Sequence, residues 1–397
     1  MDQYNDGVAL AKHAPDDAVL ALRPHEATRA ARRFVSGFPG YSFYAVKANP
    51  SPAILEALWQ GGIRNFDVAS LAEIALVDRL FPDATMALMH PVKSEATIRA
   101  AYFDHGVRIF ALDHKRELEK IVAATGGADD LVLVVRLQVE NPSAKLSLSR
   151  KFGVPREAAP TLLRAARGHA LQLGISFHVG SQAMDPRAYA RAMDRAGDVI
   201  RDAATIVDIV DVGGGFPVAY PGMTPPALSN YFATIRASLR AIPVGENVSL
   251  WCEPGRALVA AAGATVVRVI DRRDDCLYIN DGTYGSLFDA GQCAWRFPVK
   301  RLSEEAGNAF PLRPFSFFGP TCDDIDYMEG PFMLPADIVP GDYIEIGMLG
   351  AYGAAMRTDF NGFGPKREVI LLDSVPDQMA TAARATSNHH MQEGERA

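Results

Sequence analysis

Cysteine is scarce in this sequence. The four present among 397 residues, Cys252, Cys276, Cys293 and Cys322, form no C-x-x-C pair, which speaks against both a structural zinc site and a disulfide framework. Long hydrophobic runs are missing too: the longest, 257–270, is too short and too interrupted by small residues to span a bilayer. Nor is there an excess of positive charge, since 40 basic side chains face 47 acidic ones for a net charge of −7, and this leaves no electrostatic footprint for nucleic acid. Neither a membrane nor a nucleic-acid partner is expected. The opening residues Met1-Asp2-Gln3-Tyr4-Asn5-Asp6 lack the basic start and apolar core of a secretory signal, so a cytoplasmic location is expected. No internal repeat stands out. The polar tail 381–397 reads as frayed, and with no other ligand cluster in view its His389-His390 pair reads as solvated; no metal is expected.

What the chain does have is apolar mass, 48% of residues, arranged in short β-rich runs between longer amphipathic ones. Strand patterns fall at 41–46, 65–68, 85–89, 108–112, 131–137, 174–179, 206–212 and 249–252. Helical spacing falls between them, at 52–59, 71–80, 95–102, 116–123, 188–203 and 231–239. Eight such units are what a parallel (β/α)8 barrel of the TIM type requires, within about 250 residues. After about residue 262 the pattern changes to strand-like runs at 264–270, 276–280, 315–318 and 343–346 without long helices. The reading is an α/β protein: a barrel over 23–262, and a β-rich domain over 263–397 completed by the N-terminal segment 1–22.

In a parallel barrel, reactive groups belong at the carboxyl ends of the strands. Tyr44-Ala45-Val46-Lys47-Ala48-Asn49 puts a lysine at the first such end. It is either a surface charge or an amine whose pKa apolar neighbours lower, ready to form an imine. The second strand ends in Phe66-Asp67-Val68-Ala69-Ser70, with Glu73 beyond, and both acids are equally at home as helix caps. Arg136 lies inside an apolar run on the fifth strand, where an unpaired guanidinium is costly, so it must meet an anion or hydrogen-bond acceptors. His178 and Ser181 follow the sixth strand; a lone histidine is more often structural, but this one sits at the productive rim. The seventh strand runs into Asp211-Val212-Gly213-Gly214-Gly215, glycines that either let backbone N–H groups approach a phosphate or simply make a tight turn. The eighth ends in Glu253-Pro254-Gly255-Arg256, a carboxylate suited to a pyridinium nitrogen and a guanidinium suited to phosphate. Together these groups describe a site for pyridoxal 5'-phosphate.

The same residues resemble the fold-type III pyridoxal phosphate decarboxylases, the family of ornithine, diaminopimelate and biosynthetic arginine decarboxylases. The resemblance runs in order through the segments around Lys47, Asp67, His178, Asp211 and Glu253 to Gly319-Pro320-Thr321-Cys322-Asp323. It implies that Lys47 carries the cofactor as an imine, His178 stacks on its ring and Glu253 pairs with the ring nitrogen. Ser181, Gly213, Gly214, Gly215, Gly255, Arg256 and Tyr352 are implied to hold the phosphate, with Asp67, Glu73 and Arg136 supporting Lys47 and the ring. Cys322 resembles the family's general acid, which returns a proton to Cα, and the loop 141–151 resembles a mobile active-site loop. A symmetric homodimer is implied, with the Cys322 segment reaching into the partner's site.

Asp323 directly after Cys322 resembles the ornithine branch, because a carboxylate there pairs with the distal ammonium of a diamine acid. The implied reaction is L-ornithine to putrescine and CO2, in polyamine biosynthesis, with Tyr352 and Asp289 as further substrate contacts. One departure stands: the second distal-amine carboxylate of eukaryotic ornithine decarboxylases has no counterpart at the same spacing, and Asp289 is the nearest acid. Ornithine and lysine differ by one methylene, worth roughly 1–3 kcal/mol, so dual specificity remains open, as does diaminopimelate. Two other classes are a racemase on the same barrel and a catalytically silent decarboxylase-like binding protein.

Overall fold

The computed structural model describes residues 1–13, 15–146, 150–303 and 310–375; the polar tail and its histidine pair lie outside the described residues. Eight strands, Tyr41–Ala45, Asn65–Val68, Thr85–Leu88, Ile109–Leu112, Val132–Leu137, Gln172–Phe177, Ile209–Asp211 and Ser249–Cys252, close into a barrel. Every neighbouring pair is parallel. Each sequence-predicted strand is present, trimmed or shifted by a few residues at its ends. The interior is a packed plug of Phe43, Ala87, Met89, Ile109, Ala111, Val134, Ile209 and Trp251. Because helices cover the outside and this plug fills the inside, the strands are buried on both faces and their sequences read as apolar runs.

The outer ring contains Pro52–Gln60, Leu71–Leu80, Lys115–Ala124, Arg187–Ala203 and Leu228–Leu239, all expected from their spacing. The run at 95–102 is α-helical only over Glu95–Arg99 and continues as a π turn over Ala100–Asp104. Two helices were not anticipated, Pro24–Gly37 and Ala159–Arg167, although both are amphipathic, burying Ala27, Ala31 and Phe34 in the first and Leu162, Leu163 and Ala166 in the second. The first of these has a particular role. After the eighth strand the chain forms only the four-residue helix Arg256–Val259, and the earlier Pro24–Gly37 packs beside it to complete the ring.

The β-rich part is a nine-stranded sheet built around Gly263–Arg273. The expected strands at 264–270, 276–280, 315–318 and 343–346 are all present, and the N-terminal segment supplies two more, Asp2–Tyr4 and Val19–Leu22. Val299–Leu302, Tyr327–Pro335 and Arg367–Leu371 were not foreseen. Tyr327–Pro335 carries Gly330 and Pro331, which interrupt alternation and are tolerated because this strand ends the sheet order. The two parts are locked together at Arg23, just before the ring-closing helix. Its guanidinium is fully buried and meets Glu345 at 2.7 Å and both oxygens of Asp373 at 3.0 Å.

Candidate active site

The carboxyl ends of the barrel strands surround a cavity of about 400 Å3, lined by Lys47, Asp67, His90, Arg136, Phe152, His178, Ser181, Gly214, Gly215, Glu253, Gly255, Arg256 and Tyr352. Most of the site residues expected from the sequence therefore meet in one place. Lys47 stands on a single 3-10 turn, Val46–Ala48, and its Nζ lies 3.4 Å from Asp67 Oδ2. The expected loss of basicity is not found: the Asp67 carboxylate outweighs desolvation and holds the ammonium above the ordinary lysine value. Glu73 takes the capping role. Ser70 Oγ accepts from the Glu73 N–H at 3.3 Å, Glu73 Oε2 accepts from the Ala69 N–H at 2.7 Å, and the carboxyl is nonetheless close enough to feel Lys47.

Arg136 does not find the anion expected of it. Its guanidinium makes no ion pair or hydrogen bond among the described residues and instead faces the cavity, 5.4 Å from the Phe152 ring centroid. His178 Nδ1 accepts from the Gly180 N–H at 3.0 Å, and burial, then Arg136 and Lys47, push its pKa well below the usual imidazole value. The ring is neutral, as a platform beside a cationic heterocycle should be.

The glycine turn is a genuine close approach. A Cβ on Gly213 (φ +66°) would sit 2.2 Å from the Phe177 carbonyl oxygen, one on Gly214 2.6 Å from that of Glu253, and one on Gly215 (φ +98°) 2.3 Å from that of Gly180. Arg256 is held by Tyr220 Oη and Asp289 Oδ2, each at 3.0 Å, and packs 4.5 Å from the Trp295 ring centroid. Its Nε is buried without a partner. Asp289 is thus tied to Arg256 and does not itself line the cavity. Tyr352 reaches the mouth because its N–H bonds the Ala48 carbonyl at 2.8 Å, just past Lys47.

Cys322 and Asp323 do not line this cavity. Cys322 is exposed, with Sγ 3.4 Å from Asn361 Oδ1, and Asp323 Oδ2 accepts from Tyr284 Oη at 2.5 Å. That bond lowers the Asp323 pKa further, so the group is an anion. The segment resembling a mobile loop begins as a strand, Ala144–Leu146, paired antiparallel with Ser181–Ala183 at the rim; 147–149 lie outside the described residues. Sequence reasoning missed His90 and Phe152, although His90 directly follows the third barrel strand and the rule that found Lys47 applies to it equally. Asp211, quoted in a motif but given no role, is buried beside Glu253.

A family profile described as the pyridoxal-binding domain of pyridoxal-dependent decarboxylases matches residues 25–260. The chain belongs to this family. The lysine/ornithine decarboxylase of Selenomonas ruminantium is 35% identical over 360 residues, covering 87% of this chain and 86% of that protein. Antizyme inhibitor 2 of Xenopus laevis is 31% identical over 382 residues, covering 87% and 79%. Among solved structures, the arginine decarboxylase of Paramecium bursaria Chlorella virus has a TM-score of 0.80 at 26% identity, covering 92% of this chain and 99% of its own.

As a member of the family, the chain is a pyridoxal-phosphate-dependent carboxy-lyase. The residues present fit that cofactor. The orphaned Arg256 Nε and the backbone cradle at 213–215, with no room for side chains, suit a phosphate, while Glu253 and the neutral His178 suit a pyridine ring. Among the described residues, no helix is long and apolar enough to cross a membrane.

Proposed function

We propose that the protein decarboxylates L-ornithine to putrescine and CO2, a cytoplasmic step of polyamine biosynthesis, and does so as a symmetric homodimer. The observation that carries the substrate is Asp323, an anion fixed by Tyr284 one residue after Cys322, which matches the distal ammonium of a diamine acid. The homodimer is supported by the same segment: it is exposed, it lies outside its own chain's cavity, and Ile325, Phe360 and Phe363 are exposed with it. In this reading the barrel spans 23–262, and 1–22 with 263–397 carry the segment that completes the partner's site.

Pyridoxal phosphate, when bound, supplies the electron sink for the pair left by departing CO2. Lys47 would hold it. Ser181, Gly213, Gly214, Gly215, Gly255, Arg256 and Tyr352 hold its phosphate, His178 supports the ring face and Glu253 the ring nitrogen. Gly255 serves indirectly as well, since a Cβ there would sit 3.0 Å from that of Ala48 and push on the turn bearing Lys47. Arg136 and Lys47 make the mouth cationic, which draws in the substrate carboxylate. Cys322 returns the proton to Cα, and Asp323 orients the distal end so that only the carboxylate bond is weakened.

The test is CO2 release from purified, cofactor-loaded protein with L-ornithine, L-lysine, L-arginine and meso-diaminopimelate, the amine product being identified each time. Putrescine as dominant product supports the proposal; comparable cadaverine makes it a dual lysine/ornithine enzyme. No CO2 from any of them, with the bound-cofactor absorbance intact, overturns it in favour of a racemase or a silent binding protein.

A further inference from the structure

One buried acid has no part in the roles above. Asp211 ends the seventh barrel strand, in register with Trp251 on the eighth, and is 1% exposed. Its Oδ1 accepts from the Gly213 N–H at 2.8 Å, and the Gly213 carbonyl accepts from the Glu253 N–H at 2.9 Å, so a single glycine links the two acidic residues. Its Oδ2 is buried without a hydrogen-bond partner among the described residues, and the carboxyl of Glu253 is near enough to act on its charge. Two neighbouring carboxyl groups, one fully buried and the other lining the cavity, repel each other as anions, so the pair is stabilised by keeping one proton.

The surrounding charges give the same count. Around the pair stand the cations Lys47 and Arg136, the Asp67 carboxylate, the neutral Cys252 thiol and, across Gly214, the neutral His178 ring. Lys47 offsets Asp67 at 3.4 Å, and Arg136 offsets one member of the pair, which leaves the other to be neutral. Asp211 is the better anion because the Gly213 N–H stabilises its charge, and among the described residues no backbone N–H donates to the Glu253 carboxyl. The two shifts agree, Asp211 rising to about 6 under burial and Glu253 going well above the carboxylate range.

We infer that Asp211 is a positioning residue that keeps a proton on Glu253 before the cofactor binds, and that Glu253 hands this proton to the ring nitrogen of pyridoxal phosphate. The balance is simple: the O–H bond of Glu253 breaks, an N–H bond forms, and a neutral acid beside a neutral pyridine becomes a carboxylate beside a pyridinium. No proton need be drawn from solvent. The inference rests on the cofactor reading and is independent of the substrate.

The test uses the full chain, stripped of cofactor, and its Asp211→Asn variant. Asparagine keeps the contact to Gly213 and turns the other atom into a donor, which stabilises Glu253 as an anion without a shared proton. Calorimetry of pyridoxal phosphate binding near neutral pH, in two buffers of different ionisation heat, should show the variant taking up about one proton more than the wild type. Difference infrared spectra should show a protonated-carboxyl stretch in the wild type that vanishes on cofactor binding and is absent from the variant. Equal proton uptake, or no such stretch in the wild type, overturns the inference. Should Asp211→Asn not fold, Glu253→Gln serves: loss of the stretch places the proton on Glu253, and its persistence puts it on Asp211 and overturns the assignment. Neither readout involves an amino-acid substrate, so a protein that decarboxylates none of those offered leaves this result intact.

Discussion

At the scale of single residues, Lys47 and Arg256 are each answered by a carboxylate from another element, Asp67 and Asp289. Lys47→Ala should abolish both the visible absorbance of bound cofactor and CO2 release; full activity in that variant would defeat the covalent assignment. Cys322→Ala should keep the cofactor but slow or misdirect protonation of the product, which product analysis will reveal. Tyr284→Phe removes the hydrogen bond that fixes Asp323. Its expected signature is a several-fold rise in KM for ornithine with cofactor affinity unchanged, and an unaltered KM would mean that another acid recognises the distal amine. Lys47, His178, Glu253 and Arg256 were legible in the sequence because one rule, polar residues at the ends of apolar strands, finds them all. Their companions were not. The Asp67 charge that overrides desolvation at Lys47, and the Tyr220, Asp289 and Trp295 side chains around Arg256, converge only through the fold.

Elements set how closely those residues approach one another. Gly214→Ala would bring a Cβ to 2.6 Å from the Glu253 carbonyl oxygen and 3.1 Å from His178 Nε2. It should weaken cofactor binding at least about tenfold, the equivalent of some 1.4 kcal/mol, while circular dichroism stays that of a folded barrel. His178, at the end of the sixth strand, gives a pH dependence of definite sign. Its folded-state pKa is depressed by burial and by the cations Arg136 and Lys47, so below about pH 6.5 the unfolded chain binds a proton that the folded chain refuses. Its contribution to stability is present above that pH and is lost on acidification. Thermal melts of His178→Gln should therefore fall less steeply between about pH 7 and 5 than those of the wild type. All eight barrel strands could be seen in the sequence because burial on both faces makes them apolar throughout. The strand broken by Gly330-Pro331 could not, since packing rather than local pattern keeps it in place.

For the molecule as a whole, the proposed dimer makes a prediction no single chain can satisfy. Mixing inactive Lys47→Ala chains with impaired Cys322→Ala chains under conditions of subunit exchange should raise putrescine formation above that of either variant alone, by up to about a quarter of wild type, and no gain would place both groups in one chain's site. Within the chain, Arg23→Ala should cost about 3–5 kcal/mol, visible as a lowered unfolding midpoint, because Glu345 would be left buried and unpaired. The two-part architecture was readable from where long helices stop; the lock at Arg23 was not, since its partners lie more than three hundred residues later. Those late partners belong with another feature, the parallel pairing of Asp2–Tyr4 with Val369–Leu371 and of Val19–Leu22 with Arg367–Ile370. On the ribosome, the earliest strands to emerge must wait for almost the last before their sheet can close. The barrel has no such delay, since its strands and the ring-closing helix all precede residue 260. Synthesis should thus yield a closed barrel with two strands at its head still waiting for partners, and Tyr352 and the Asp289 and Trp295 side chains that set Arg256 reach the cofactor site only afterwards. The barrel would be shaped early, but its grip on the cofactor's phosphate would be complete only when the late strands are in place.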